Sequence, residues 1–269
     1  MSKRIGILGC GWLGLPLAIS LLEDKHTIYG TTSSDSKIAI LEKHNIIPYL
    51  IVLNKIGIEG NIKKFLSELD LLIINVPPNL RSAPKESFAE KMFHLHSEIK
   101  NSPLKRIIFI SSTSVYGNIN GIITEDSPAL PNTESGKQLL ASENIFLKDG
   151  QLDTTVIRFG GLIGPKRHPV KFLSGKTDLG NGDDPINLIH LNDCIGIIKT
   201  VINGDYKNRI LNGVFPHHPK KEEYYTSEAI KRGLLPPIYT RNLNKIGNKT
   251  IESRYLNVKT YQFNTSIVS

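Results

Sequence analysis

The residues that most constrain this chain are Gly9-Cys10-Gly11-Trp12-Leu13-Gly14, which end an apolar run over residues 4–9 and open a helix-like segment over 12–23. A strand that turns at once into a helix through this spacing gives each glycine a task. Gly9 permits the tight turn, Gly11 lets the backbone approach a pyrophosphate, and Gly14 lets helix and strand pack closely. The helix start adds backbone N–H groups and a positive dipole end for the phosphates. In that setting the motif predicts a Rossmann βαβ unit with a dinucleotide on Gly9, Gly11, Trp12, Leu13 and Gly14.

The same N-terminus has the outline of a signal peptide: Ser2-Lys3-Arg4, mostly apolar residues to Leu22, and the small-x-small triplet Ala18-Ile19-Ser20. A secretory apolar region has no physical reason to carry three glycines at dinucleotide-loop spacing, with Pro16 soon after. A cytoplasmic protein is the preferred reading. Cys10 and Cys194 form neither a disulfide framework nor a metal spacing, which fits a reducing compartment.

Strand-like and helix-like segments alternate along the chain, which predicts a parallel sheet with helices on both faces. Strands are expected over 4–9, 27–30, 47–53, 71–76, 106–111, 154–159 and 187–191. Helices are expected over 12–23, 36–45 (with Ser34 or Asp35 as cap), 61–69, 85–101, 134–148, 193–203 and 221–233. Residues 160–185, rich in Gly, Pro and Lys, read as a loop region. The fold class expected is α/β, a Rossmann-type doubly wound parallel sheet with a small C-terminal α/β substrate lobe. Residues 1–160 form the core with 187–203 returning to it, and 161–186 with 204–269 form the lobe.

The dinucleotide motif calls for an acidic residue on the ribose about 20 residues on. Here the second strand ends in Thr31-Thr32-Ser33-Ser34, and Asp35 comes late. Hydroxyls tolerate a 2′-phosphate that a carboxylate would repel, so Thr31, Thr32 and Ser33 tilt the choice between NAD and NADP slightly towards NADP. A plain solvated turn is the alternative. Asn75-Val76-Pro77 closes the fourth strand, where its backbone should line the cofactor groove, although prolines also end strands unaided. The fifth strand ends in Ser111-Ser112-Thr113-Ser114-Val115-Tyr116-Gly117. Ligands of open α/β sheets lie outside the carboxyl ends of the strands, so these hydroxyls should face the cofactor.

Taken in order, G-x-G-x-x-G, S-S-T-S-V-Y-G, V-I-R-F-G-G-L-I-G-P (156–165) and I-H-L-N-D (189–193) resemble the extended short-chain dehydrogenase/reductases, the NAD-dependent epimerase/dehydratase superfamily. G-W-L-G-x-P-L-A and R-H-P-x-x-F-x-x-G-K (167–176) are similar to its atypical YeeZ-like members. The resemblance implies a catalytic Ser/Thr at Ser112, with Thr113 beside it, and cofactor contacts at Ser111, Phe159 and Gly160. It also implies substrate contacts at Thr113, Arg167, Lys176 and His190. The family's Tyr and Lys, spaced Y-x-x-x-K, do not carry over: Ser135 and Leu139 stand in their places. Lys137 lies two residues from Ser135, roughly 200° around a helix, and cannot substitute. A serine hydroxyl is far harder to ionise than a phenol, so the usual proton relay is absent. Tyr116 and His168 are the remaining catalytic candidates beside Ser112.

The formal net charge of +8 is spread along the chain without a nucleic-acid-binding signature, although Lys166, Arg167, Lys171 and Lys176 cluster locally. An anionic cofactor and a small anionic substrate suit it better than nucleic acid, and no apolar run is long enough for a membrane span. A solvated basic loop is the plain alternative. No metal site is expected, and a homodimer is left open. The function expected is an NAD(P)-binding, epimerase/dehydratase-like oxidoreductase acting on a small anionic metabolite or nucleotide sugar without the usual acid. The alternative is a catalytically silent NAD(P)-binding sensor or regulator.

Overall fold

The computed structural model describes residues 2–78, 87–240, 248–257 and 260–267. The chain opens with β1 (Arg4–Leu8), α1 (Gly14–Glu23), β2 (Thr27–Thr32), α2 (Ile38–Lys43) and β3 (Ile47–Leu50). Ile5, Ile7 and Leu8 are at most 1% exposed, so β1 is covered on both faces, as a strand inside a parallel sheet must be. The helix expected over 36–45 is shorter, because a 3₁₀ turn over Asp35–Lys37 comes first. Ser34 begins that turn without a side-chain cap, its hydroxyl bonding the Ser36 hydroxyl instead.

The single strand expected over 47–53 is broken at Ile51, whose amide donates to the Thr32 carbonyl. Beyond it β4 (Val52–Asn54) folds back antiparallel on β5 (Gly57–Glu59). Gly60 makes this possible at φ +95°, since a Cβ there would lie 2.1 Å from the Leu50 carbonyl oxygen. Next come α3 (Ile62–Ser67), β6 (Leu71–Ile74), α4 (Phe88–Lys100) and β7 (Arg106–Ser112). Asn61 and Ser87 cap the two helices through their side chains, which accept the amides of Lys64 and Glu90. The helix start expected at Lys85 lies outside the described residues.

After a 3₁₀ turn over Thr113–Tyr116 follow β8 (Gly121–Ile123), α5 (Glu134–Leu147), β9 (Asp153–Phe159), β10 (Gly161–Ile163), α6 (Val170–Leu173), β11 (Leu188–His190), α7 (Leu191–Asn203), β12 (Arg209–Gly213), α8 (Lys221–Lys231) and β13 (Lys249–Ile251). The stretch expected as loop thus carries β10 and α6. Seven strands form one sheet in the order β12-β9-β7-β6-β1-β2-β3. β1 pairs in parallel with β2 on one side and β6 on the other, and β6 pairs in parallel with β7. This is a Rossmann-type α/β fold, and the order reverses about β1; ligands of open α/β sheets lie at such a reversal, outside the strand ends, and here Gly9 and Asn75 follow those ends.

The chain divides into two compact units. The first comprises Met1–Ser112, Thr133–Arg158 and Ile198–Ile210. Leu17, Leu21, Phe65, Ile73, Ile108, Phe109 and Phe146, all fully buried, pack its helices on its strands. The second comprises Thr113–Asn132, Phe159–Ile197 and Leu211–Ser269. It holds the parallel pairs β10–β11 and β8–β13, and a core of Val170, Leu188, Tyr224, Ala229 and Ile267. In it α8 is closed off by Gly233, φ +65°, whose amide and that of Leu234 bond the carbonyls of Ile230 and Ala229. Among the described residues no helix is long and apolar enough to cross a membrane.

Candidate cofactor and substrate sites

In the first unit the glycine loop is braced from both neighbouring strands. Thr31, at the end of β2, accepts the Gly9 amide on its hydroxyl (3.0 Å) and the Cys10 amide on its carbonyl (3.0 Å). Asn75, just past β6, donates from its carboxamide to the Gly9 carbonyl (3.0 Å). The chain's own backbone explains two of the three glycines. At Gly9, φ +105°, a Cβ would lie 2.7 Å from the Asn75 carbonyl oxygen, and at Gly14 it would lie 2.2 Å from the Gly9 oxygen. Gly11 differs: a Cβ there meets no described atom within 4 Å, and its φ is not in the left-handed region.

Leu13 stands at the N-cap of α1 with no side-chain cap bond, and the first turn of the helix holds no acidic residue. An open face over Gly11, beside a helix start without a carboxylate, fits a dinucleotide pyrophosphate. Cys10 belongs to the scaffold: burial pushes its thiol up to about 12, beyond use as a nucleophile.

At the end of β2 the hydroxyls are less available than the sequence suggests. Thr31 is spent on the loop, and Thr32 exchanges hydrogen bonds with the Ser34 backbone. Ser33 is exposed, as is Lys37 nearby in sequence. Val76 approaches Gly9 from the side and Pro77 is exposed, so the stretch after β6 flanks the glycine loop.

The end of β7 carries a feature that no motif announces. Ser111 donates to Glu143 on α5 (2.5 Å), and the same carboxylate takes three contacts from Arg158 on β9, Nη2 at 2.6 Å and Nε at 3.2 Å from each oxygen. The Glu143 and Arg158 side chains are 0% and 3% exposed. One buried ion pair therefore ties α5, the strand end before Ser112, and the strand end before Phe159. The signal in the sequence was an arginine inside the apolar run V-I-R-F and a glutamate four residues beyond Leu139. On α5 Ser135 is partly exposed, Leu139 is buried and Lys137 is exposed.

In the second unit Thr113 and Tyr116 are buried in the 3₁₀ turn. The Tyr116 hydroxyl donates to Asn212 (2.8 Å), and Asn212 in turn donates to the Glu252 carbonyl (2.9 Å). His168 lies inside the core, its Nδ1 accepting the Val170 amide (3.2 Å) and its Nε2 3.0 Å from the Tyr224 hydroxyl. That fixes the tautomer with the proton on Nε2. Burial is the larger cause, ahead of the nearby Arg232, that brings His168 down to about 4, while Glu228 opposes.

Arg167 and Lys176 are exposed. His190, lowered by burial, accepts the Asn192 amide on Nδ1. Gly160 cannot carry a side chain, because a Cβ would lie 2.6 Å from the Asn187 carbonyl oxygen. Phe159, 2% exposed, packs on Gly213.

No protein-family model matches the chain. The protein YeeZ of Escherichia coli (strain K12) is 31% identical over 263 residues, covering 97% of this chain and 96% of that protein. Among solved structures, MoeE5 in complex with UDP-glucuronic acid and NAD superposes with a TM-score of 0.77 at 19% identity, covering 98% of this chain and 95% of that one. The UDP-glucuronic acid 4-epimerase of Bacillus cereus, in complex with UDP-glucuronic acid and NAD, gives 0.79 at 16% identity, covering 98% and 95%. At these identities the solved structures speak to fold.

Proposed function

Because the chain belongs to the YeeZ-like group of extended short-chain dehydrogenase/reductases, we propose that it is a nicotinamide-dinucleotide-dependent, epimerase/dehydratase-like oxidoreductase acting on a small anionic metabolite, first of all a nucleotide sugar. The observation that carries this reading is Gly11: nothing in the described chain requires glycine there, and an approaching pyrophosphate does. The loop amides and the start of α1 bind the phosphates. Asn75, Val76 and Pro77 flank them, and Ser33 with Lys37 is left for the adenine ribose. The lack of a carboxylate at the end of β2 supports NADP, while the superposed structures carry NAD.

When bound, the nicotinamide supplies a hydride acceptor that can return what it takes. The chain's part is to hold the substrate oxygen and manage its proton. Ser112 is placed by β7, and its neighbour Ser111 is locked to Glu143. Its hydroxyl can orient a carbonyl or alcohol by hydrogen bond, but as a neutral group it does not take up the proton at pH 7. Tyr116 and His168 are committed to Asn212 and Tyr224, so we assign both to holding the second unit together rather than to proton transfer. Arg167 and Lys176 remain the exposed cations for an anionic substrate.

One observation favours a second reading, a binding protein without turnover: Leu139, which the resemblance aligns with the family's lysine, is 5% exposed. Incubating the protein with NAD or NADP and a panel of nucleotide sugars, with proton NMR for epimers and absorbance at 340 nm, separates the two. Turnover lost in Ser112→Ala supports the enzyme. Absence of any hydride transfer across the panel overturns it, and equal affinity for oxidised and reduced cofactor then rules out redox sensing as well.

A further inference from the structure

Lys249 is a residue that no motif marks. It lies on β13, half-buried in the second unit, and its ammonium donates to the Gly117 carbonyl (2.5 Å). Gly117 follows the hydroxyl-bearing turn over Thr113–Tyr116. The Lys249 backbone carbonyl accepts from the Asn187 carboxamide (2.9 Å), whose oxygen accepts the Ile251 amide. Asn187 also receives the Gly161 amide on its backbone carbonyl, beside Gly160. Within this unit Lys249 is thus linked to Gly117 by its own side chain and to Gly161 through Asn187.

The charge balance around Lys249 is unusual. Each exposed or half-buried lysine of the neighbouring helix start has its own carboxylate: Lys220 pairs with Asp183 (2.9 Å) and Lys221 with Asp184 (3.0 Å). Among the described residues no carboxylate pairs with Lys249. Burial, and then the nearby Lys221, hold its ammonium below the usual lysine range. A partly buried cation near a second one, with a carbonyl bond and no carboxylate among the described residues, is costly. An anion placed beside it relieves both the desolvation and the repulsion.

We propose that Lys249 is an anion-recognising residue of the second unit, taking a phosphate or carboxylate oxygen of the substrate. This rests on the reading that the substrate is anionic, and it names the residue that reads the charge. Arg167 and Lys176, the cations singled out by sequence, are exposed; Lys249 is half-buried and held by its side-chain bond to Gly117, by the pairing of β13 with β8 and by Asn187 on its backbone carbonyl.

The test is calorimetric titration of wild type, Lys249→Gln, Lys249→Met and Lys249→Arg with inorganic pyrophosphate, UDP and UDP-glucuronic acid, with NAD titrated separately. Glutamine keeps a donor for the Gly117 carbonyl and removes the charge, so it should keep the thermal midpoint while weakening the anion at least about tenfold. Arginine should retain anion affinity to within about threefold. NAD affinity should be the same in all four. The proposal is overturned if Lys249→Gln binds each anion as wild type does, or if wild type binds none of the three. Loss of anion binding in Lys249→Gln together with no NAD binding by wild type supports the lysine and sinks the cofactor reading instead.

Discussion

Two glycines of one loop should respond oppositely to the same added methyl group. At Gly14 a Cβ would lie 2.2 Å from the Gly9 carbonyl oxygen and 3.1 Å from its carbon, backbone atoms that Thr31 and Asn75 hold in place. Relief requires α1 to move off β1, and overpacking of that kind costs about 3 kcal/mol. For a chain of this size the thermal midpoint should fall by about 6–12 °C. At Gly11 the methyl meets nothing within 4 Å and the backbone is not left-handed. Gly11→Ala should therefore leave the midpoint unchanged or raise it slightly, by up to about 1 kcal/mol of stability, through the unfolded state. Yet the methyl occupies the face offered to the pyrophosphate, so NAD and NADP affinity should fall at least about tenfold, near 1.4 kcal/mol. Differential scanning calorimetry and cofactor titration on both variants read the two effects separately. A Gly11→Ala protein that loses stability as Gly14→Ala does, with cofactor affinity intact, would refute the reasoning.

Three further outcomes follow from buried groups. Glu143→Gln strips the carboxylate from a fully buried Arg158 and should cost about 3–5 kcal/mol in chemical denaturation, whereas Glu143→Leu with Arg158→Met should recover much of it. Tyr116→Phe leaves the buried Asn212 carboxamide oxygen short of a donor. It should cost about 1–3 kcal/mol by urea titration while cofactor affinity stays as in wild type; a turnover loss larger than the stability loss would return Tyr116 to the chemistry. His168 is depressed to about 4 in the folded chain, against about 6.5 when unfolded, so the unfolded state binds the extra proton between those values. Stability should accordingly fall as pH drops from about 6.5 towards 4, and urea midpoints of His168→Gln should show a shallower fall over that window.

What the sequence disclosed was local. The glycine loop, the apolar strands of the parallel sheet and the capped helices α3, α4 and α5 all announce themselves within a few consecutive residues. Elements that depend on a distant partner were not legible. β8 and β13 are three residues each and pair across more than a hundred residues of chain, and β10 is recognisable only once β11 lies beside it.

The same holds for the candidate sites. Thr31 reads as a ribose contact until the β1–β2 register turns its hydroxyl to the Gly9 amide. His168 reads as a loop residue until Tyr224, 56 residues later, receives it in the core. The pairing of Glu143 with Arg158 is not legible because composition alone does not reveal that two opposite charges share one interior position, and Lys249 sits in no recognisable pattern at all.

The most direct measurement is NAD and NADP binding by the purified protein, followed by addition of UDP-glucuronic acid or UDP-glucose and a proton NMR assay for the epimerised or oxidised sugar. Saturable dinucleotide binding that Gly11→Ala weakens, with conversion of at least one nucleotide sugar that Ser112→Ala abolishes, is the predicted result. A protein that binds neither dinucleotide, although folded by calorimetry, would contradict the central claim outright.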